Sequence, residues 1–281
     1  APSAKNRLDE YPAAKPKREA DAPPLSDNGV YEKTVPCVVI IVSSRGTKRL
    51  GLGSGFVLDP GDRIVTNAHV IHGASVVTVR PHDGQSAAVT RVVAVDEDRD
   101  IAVLPVPHGL AGMRGLTLAE APPKVGDSVF ALGAPLGLEF TFTKGIVSAF
   151  RRNFLRYGSV VQTDVSISPG SSGGPLVDHR GQVVGVSTLA SRAVAEAHNL
   201  NFAVSAEEVA TVCKGQRPTA LSDLKGFAEY KEEGPDADAG DASRKEAEKR
   251  RAASRATATP TSPKERASLR GFSITFPSGD L

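Results

Sequence analysis

The sequence predicts an all-β fold. Three observations carry it: short runs rich in Val, Ile and Phe, turn residues between them, and one capped helix that closes the domain. In chain order the runs are Pro36 to Val42, Gly53 to Leu58, Ser75 to Arg80, Ala88 to Val95, Ile101 to Leu104, Ser128 to Leu132, Gly158 to Gln162 and Gln182 to Ser187. Asp59-Pro60-Gly61-Asp62, His82-Asp83-Gly84 and His179-Arg180-Gly181 read as tight turns, because Gly supplies positive φ and Asp bonds its own backbone. Such spacing suggests barrels. The helix opens at Ser205-Ala206-Glu207-Glu208, a capping box in which Glu208 reaches back to Ser205, and stops at Gly215.

Composition points to one core with polar extensions. The 281 residues are 40% hydrophobic and 5% aromatic, which allows a sizeable core without Trp. Residues 1–29 are rich in Pro, Ala and charge and read as a disordered arm that cannot offset its ordering entropy. Residues 217–281 read as a polar tail. Within it, Asp241 to Arg255 is an exposed helix or disorder, and Phe272 to Phe276 is a docking strand or an unstructured end. A net charge of +2 is too small to argue for nucleic acid, and Glu246 and Glu248 dilute the cluster Lys249-Arg250-Arg251. The apolar run Cys37 to Val42 is far shorter than the ~20 residues that cross a bilayer. The chain starts at Ala1, which reads as a processed form or a trimmed piece. Two cysteines make no disulfide framework, and the six histidines His69, His72, His82, His108, His179 and His198 show no metal-ligand spacing. No metal or cofactor is expected.

The chemistry lies in three separated segments. Gly170-Ser171-Ser172-Gly173-Gly174-Pro175 follows Thr66-Asn67-Ala68-His69 and then Asp100-Ile101-Ala102-Val103-Leu104. Each has an ordinary reading: a linker, a packed histidine, a turn aspartate. Together they supply a hydroxyl, an imidazole to take its proton and a carboxylate to fix the imidazole's tautomer. They are 31 and 72 residues apart, so only a tertiary fold brings them together.

The chain resembles the trypsin-like serine proteases of HtrA/Deg type. The likeness covers roughly Val30 to Gly215. It rests on Gly53-Ser54-Gly55-Phe56-Val57-Leu58 running into Ile64-Val65-Thr66-Asn67-Ala68-His69-Val70, and on Asp98-Arg99-Asp100-Ile101-Ala102-Val103-Leu104. Ala131-Leu132-Gly133-Ala134-Pro135-Leu136-Gly137, Gly145-Ile146-Val147-Ser148-Ala149, Gln162-Thr163-Asp164 and Asn201-Phe202-Ala203-Val204 are similar to further family landmarks. Ser171 and Ala134 stand where the family commonly has Asn, and Lys144 where a small hydroxyl residue is common. No PDZ domain is recognisable after the protease-like part.

The resemblance implies a protease domain over residues 30–216 made of two six-stranded antiparallel barrels, about 30–123 and 124–216. It implies a serine endopeptidase in which Ser172 is nucleophile, His69 base and Asp100 its orienting carboxylate, with an oxyanion hole from the NH groups of Gly170 and Ser172. Ser166 stands six residues before the nucleophile, where enzymes cutting after Lys or Arg carry an acid, so a basic residue there is disfavoured. Walls from Ser187, Thr188, Leu189, Asn201, Phe202 and Ala203 would suit small to medium aliphatic side chains. An extended or unfolded polypeptide would add as a strand to Gln182 to Leu189. The family further implies an extracytoplasmic location and a homo-oligomer, a trimer, in which Tyr31 contributes an aromatic contact. Cys37, in the first strand, and Cys213, in the helix, are bridged in such a fold or are two free thiols. A chaperone-like peptide-binding protein with gated or minor hydrolysis is the alternative function.

Overall fold

A computed structural model describes residues 23–134, 140–168, 170–188 and 200–224. The β-branched runs form strands in two systems. The first half contains β1 (Val38–Arg45), β2 (Lys48–Leu58), β3 (Arg63–Thr66), β4 (Val76–Pro81), β5 (Ala87–Val89), β6 (Arg91–Val92), β7 (Ala94–Asp96) and β8 (Ile101–Pro105). The second contains β9 (Ser128–Gly133), β10 (Thr141–Arg151), β11 (Val160–Thr163), β12 (Pro175–Val177), β13 (Val183–Thr188) and β14 (Asn201–Ser205), with β15 (Thr219–Ala220) beyond.

The second system closes as a six-stranded barrel in the order β10-β11-β14-β13-β12-β9. The first does not: it is a seven-stranded sheet, β5-β4-β1-β2-β3-β8-β7, where six closed strands were expected. The run Ala88 to Val95 breaks into pieces, and its middle piece β6 pairs with β15, with Val92 opposite Thr219. Chain from beyond the helix thus pairs with the first half of the fold.

At both ends of the described residues the structure differs from the sequence reading. Helix α1 (Asp27–Thr34) lies partly in the segment read as a disordered arm. Ser26 Oγ accepts the Gly29 amide at 3.1 Å as its cap, Val30 is fully buried, and Leu25 N donates to His179 O at 2.8 Å. A few apolar residues suffice to dock it. Downstream, Leu221 is buried among first-sheet residues and its amide donates to Thr90 O at 2.9 Å, so order runs past residue 216 to Leu224. Asp241 to Arg255 and Phe272 to Phe276 lie outside the described residues.

The four-residue helix α2 (Ala68–Ile71) follows β3, and α3 (Ala206–Lys214) is the closing helix. Ser205 and Gly215 sit at the ends of α3 as read, but the capping box is not made. Ser205 gives no side-chain cap. Glu208 turns outward: its Oε1 accepts the Ser159 amide at 2.9 Å and its Oε2 the Arg99 Nε at 2.6 Å. A cation and a backbone donor from elsewhere compete successfully for this carboxylate against Ser205's own amide, which donates to Ser159 O at 2.9 Å.

Cys37 lies in a 3-10 turn, Val35–Cys37, and not in the first strand; Pro36 has no amide to give to a ladder. Both cysteines are free thiols. Burial pushes Cys37 up to about 11 and also raises Cys213, so neither carries thiolate at neutral pH. Tyr31, expected to serve assembly, meets Phe142 of its own chain edge-on, centroids 5.5 Å apart.

Candidate functional site

Strand pairing brings His69 and Asp100 together. β3 and β8 are antiparallel with Thr66 opposite Ala102, so the chain just after β3 lies beside the chain just before β8. Asp100 is held at φ +56°, a left-handed state that Asp tolerates better than most residues. Its carbonyl accepts the Ala68 amide at 3.2 Å and Asn67 Nδ2 at 2.9 Å. Its carboxylate, only 3% exposed, is then aimed back at the histidine: Oδ1 accepts the His69 amide at 2.9 Å and Oδ2 lies 2.8 Å from His69 Nδ1. The imidazole is fixed at Nδ1 and remains 42% exposed, so Nε2 is the nitrogen left for chemistry.

A third group joins them. Thr188 Oγ1, at the end of β13 in the barrel, donates to Asp100 Oδ2 at 2.9 Å. Thr188 was read as a pocket wall; its side chain is buried against the carboxylate instead. The sequence signal was a hydroxyl ending the fully buried strand Val183–Thr188, since a buried hydroxyl needs a partner.

Ser172 lies on the loop that enters β12. Its carbonyl accepts the Ser54 amide at 2.8 Å, joining the loop to β2 of the other sheet. Gly53 makes this approach feasible: a Cβ there would sit 2.7 Å from the Val70 methyls and 3.0 Å from Ser172 O. The loop is thereby packed against the residue that follows His69. Ser172 Oγ is buried and has no hydrogen-bond partner, so its bond to the imidazole is not made in this resting arrangement. Catalytic contacts are often long in unliganded sites.

Gly170, at φ +99°, occupies a turn closed by Ser171 N donating to Ser168 O at 2.9 Å; the third position of such a turn requires Gly. Ser54 Oγ donates to Gly170 O at 2.7 Å and accepts the Ala134 amide at 3.0 Å. Among the described residues the amides of Gly170 and Ser172 donate to nothing, which leaves two NH groups available beside the Ser172 hydroxyl. Ser54 was legible only as part of a motif; its tie to the turn needed the fold.

Most of the remaining predicted residues are neighbours: β13 and β14 pair Ser187 with Ala203 and Thr188 with Phe202, and Asn201 reaches the residue beside Ser166. Ser166 is exposed, and its carbonyl accepts Thr143 Oγ1 at 3.1 Å. Ser187 is buried, and its amide and carbonyl pair with Gly174 and Gly173. Asn201 Nδ2 donates to Val165 O at 2.8 Å. Phe202 stacks on Phe154 and Ala203 packs with Val161 and Leu176, both inside the core. Leu189 lies outside the described residues. Strand addition along Gln182 to Leu189 is largely excluded, because β13 already pairs with β12 and β14 and Ser187 with the glycine loop. Among the described residues only the Thr188 end has a side left for a substrate.

Residues 53–186 match the family described as Trypsin-like peptidase domain. The chain is 38% identical over 166 residues to Protease Do-like 1, chloroplastic, of Arabidopsis thaliana, covering 57% of this chain and 38% of that protein. To a probable periplasmic serine endoprotease, DegP-like, of Halomonas elongata it is 41% identical over 144 residues, covering 50% of this chain and 30% of the relative. The active form of the Rv3671c protease from M. tuberculosis superposes with TM-score 0.60 at 36% identity, covering 71% of this chain and 92% of that one. The chain spans less than half the length of these curated relatives. With a closed barrel beside an open sheet, the His69–Asp100 contact and this coverage, the chain belongs to the trypsin-like serine endopeptidase family of HtrA/Deg type.

Proposed function

We propose that the chain is a serine endopeptidase cutting extended or unfolded polypeptides after small to medium aliphatic residues, using Ser172, His69 and Asp100. The Asp100 Oδ2 to His69 Nδ1 contact of 2.8 Å carries this reading. It holds the imidazole in the tautomer whose Nε2 accepts the Ser172 proton. Ser172 Oγ attacks the peptide carbonyl, and the amides of Gly170 and Ser172 take the developing oxyanion, each donor worth roughly 3 kcal/mol. His69 returns the proton to the leaving amine; water then releases the acyl group by the same steps. Exposed Ser166 offers no acid to a basic side chain, which supports the aliphatic preference.

A fluorophosphonate probe tests the reading. It should label Ser172 in the native protein and fail on Ser172→Ala, with casein cleavage lost in parallel. His69→Ala should lose cleavage as Ser172→Ala does, and an active His69→Ala variant overturns its role as base. The unpartnered Ser172 Oγ favours a second reading, a chaperone-like peptide binder whose hydrolysis is gated. Binding of unfolded chains by unlabelled wild-type protein would select it.

The domain proposed for this activity is residues 30–216, with the start of helix α1 and Leu221 just beyond those bounds. The periplasmic name of the Halomonas elongata relative supports an extracytoplasmic location. No helix among the described residues is long and apolar enough to cross a membrane. A trimer is proposed by family resemblance, with Tyr31 adding an aromatic contact.

A further inference from the structure

A cavity of about 480 Å³ opens beside His69, lined by Ser43, Arg45, Leu50, Gly51, Val70, His72 and Gly73 as well as the imidazole. Every lining residue belongs to the first sheet or to the chain just after His69. None comes from the barrel, whose Thr188 end is the free edge for the acyl half of a substrate. Proton return from His69 requires the leaving amine to adjoin the imidazole, so the chain beyond the scissile bond runs toward this side.

The cavity has one fixed charge. Arg45 Nε donates to Gly73 O at 2.7 Å, which holds the guanidinium at the rim with Nη2 beside Gly73. Among the described residues Arg45 makes no ion pair, nor do Lys48 and Arg49 on the same hairpin, where Arg45 stands opposite Lys48. His72 is held below its ordinary value chiefly by burial, against the pull of Glu97 and with the repulsion of Arg45. Gly51 keeps the floor open, since a Cβ there would stand 3.0 Å from Ser43 Oγ. That hydroxyl is buried without a partner. Leu50 is 39% exposed at the edge and offers an apolar contact for a side-chain stem.

We propose that this cavity receives the side chains of the first two residues after the scissile bond, and that Arg45 selects an acidic one among them. The proposal rests on the endopeptidase reading. It makes substrates rich in Asp or Glu on the leaving side better than basic ones, independently of the residue that enters the acyl pocket.

Three quenched peptides test it, identical before the scissile bond and carrying Glu, Gln or Lys in the two positions after it. Wild-type protein should cleave the Glu peptide about fivefold faster in kcat/KM than the Gln peptide, with Lys slowest, as expected for a partly exposed ion pair. Arg45→Gln should erase the Glu advantage, Arg45→Lys should retain part of it, and the charge-matched Lys124→Gln on the barrel should leave it intact. Equal rates for all three peptides in wild type, with Ser172 labelled normally, overturn the subsite and leave the endopeptidase standing. An Arg45→Gln variant that keeps the preference also overturns it. Absence of both labelling and cleavage removes the parent reading and the subsite with it.

Discussion

Ser54 Oγ donates to Gly170 O at 2.7 Å, so a hydroxyl on the first sheet fixes the turn that leads into Ser172. The same oxygen accepts the Ala134 amide, and Ser54 is wholly buried. Removing it unties one carbonyl and orphans one buried amide, a cost of about 1–2 kcal/mol. Ser54→Ala should lower kcat about tenfold with KM nearly unchanged, while Ser54→Thr retains more activity. Peptide hydrolysis with thermal melts checks the split between rate and stability.

Thr188→Val keeps shape and deletes the hydroxyl on Asp100 Oδ2. The buried carboxylate loses one of its donors, and the imidazole loses part of its alignment. A fall in kcat/KM of about tenfold is expected. Thr188→Ser should restore most of it, since the donor returns at 2.9 Å reach.

Asp100→Asn should abolish nearly all turnover, by about 10⁴-fold, because an amide at that position selects the wrong tautomer of His69. The left-handed φ of +56° suits Asn as well as Asp. Melting temperature should therefore stay within a few degrees of wild type, and a large drop would mean that the substitution unfolds the site.

Cys37 should resist alkylation. With its thiol pushed up to about 11, the thiolate fraction at pH 8 is of order 10⁻³. Iodoacetamide on native protein should leave Cys37 unmodified by intact-mass measurement, and denaturant should expose both thiols. The linkage has a definite sign. Between the ordinary value of 9.0 and about 11 the unfolded chain releases a proton that the folded chain keeps, so this contribution to stability is lost over that window.

The motif residues were readable because catalysis restricts residue type: imidazole, carboxylate and hydroxyl in fixed order leave few alternatives. Strand positions were readable from Val and Ile runs, as for Gln182 to Ser187 against the observed Val183–Thr188. Partner choice was not. Glu208 has the spacing of a capping box yet binds Arg99 and Ser159, because nothing local encodes which donor arrives from 109 residues away. Helix α1 escaped the reading for a related reason: its apolar content is sparse, and burial of Val30 comes from a surface built by other segments. The pairing of β15 with β6 was likewise invisible in composition.

The Arg99–Glu208 ion pair lies one residue from the carboxylate that orients His69, and Glu208 stands 36 residues past Ser172. During translation the chain exposes imidazole, acid and hydroxyl before it exposes this anchor. The acid's neighbour is secured only once α3 has left the ribosome tunnel. The geometry around Asp100 thus depends on chain made after all three of the site's side chains.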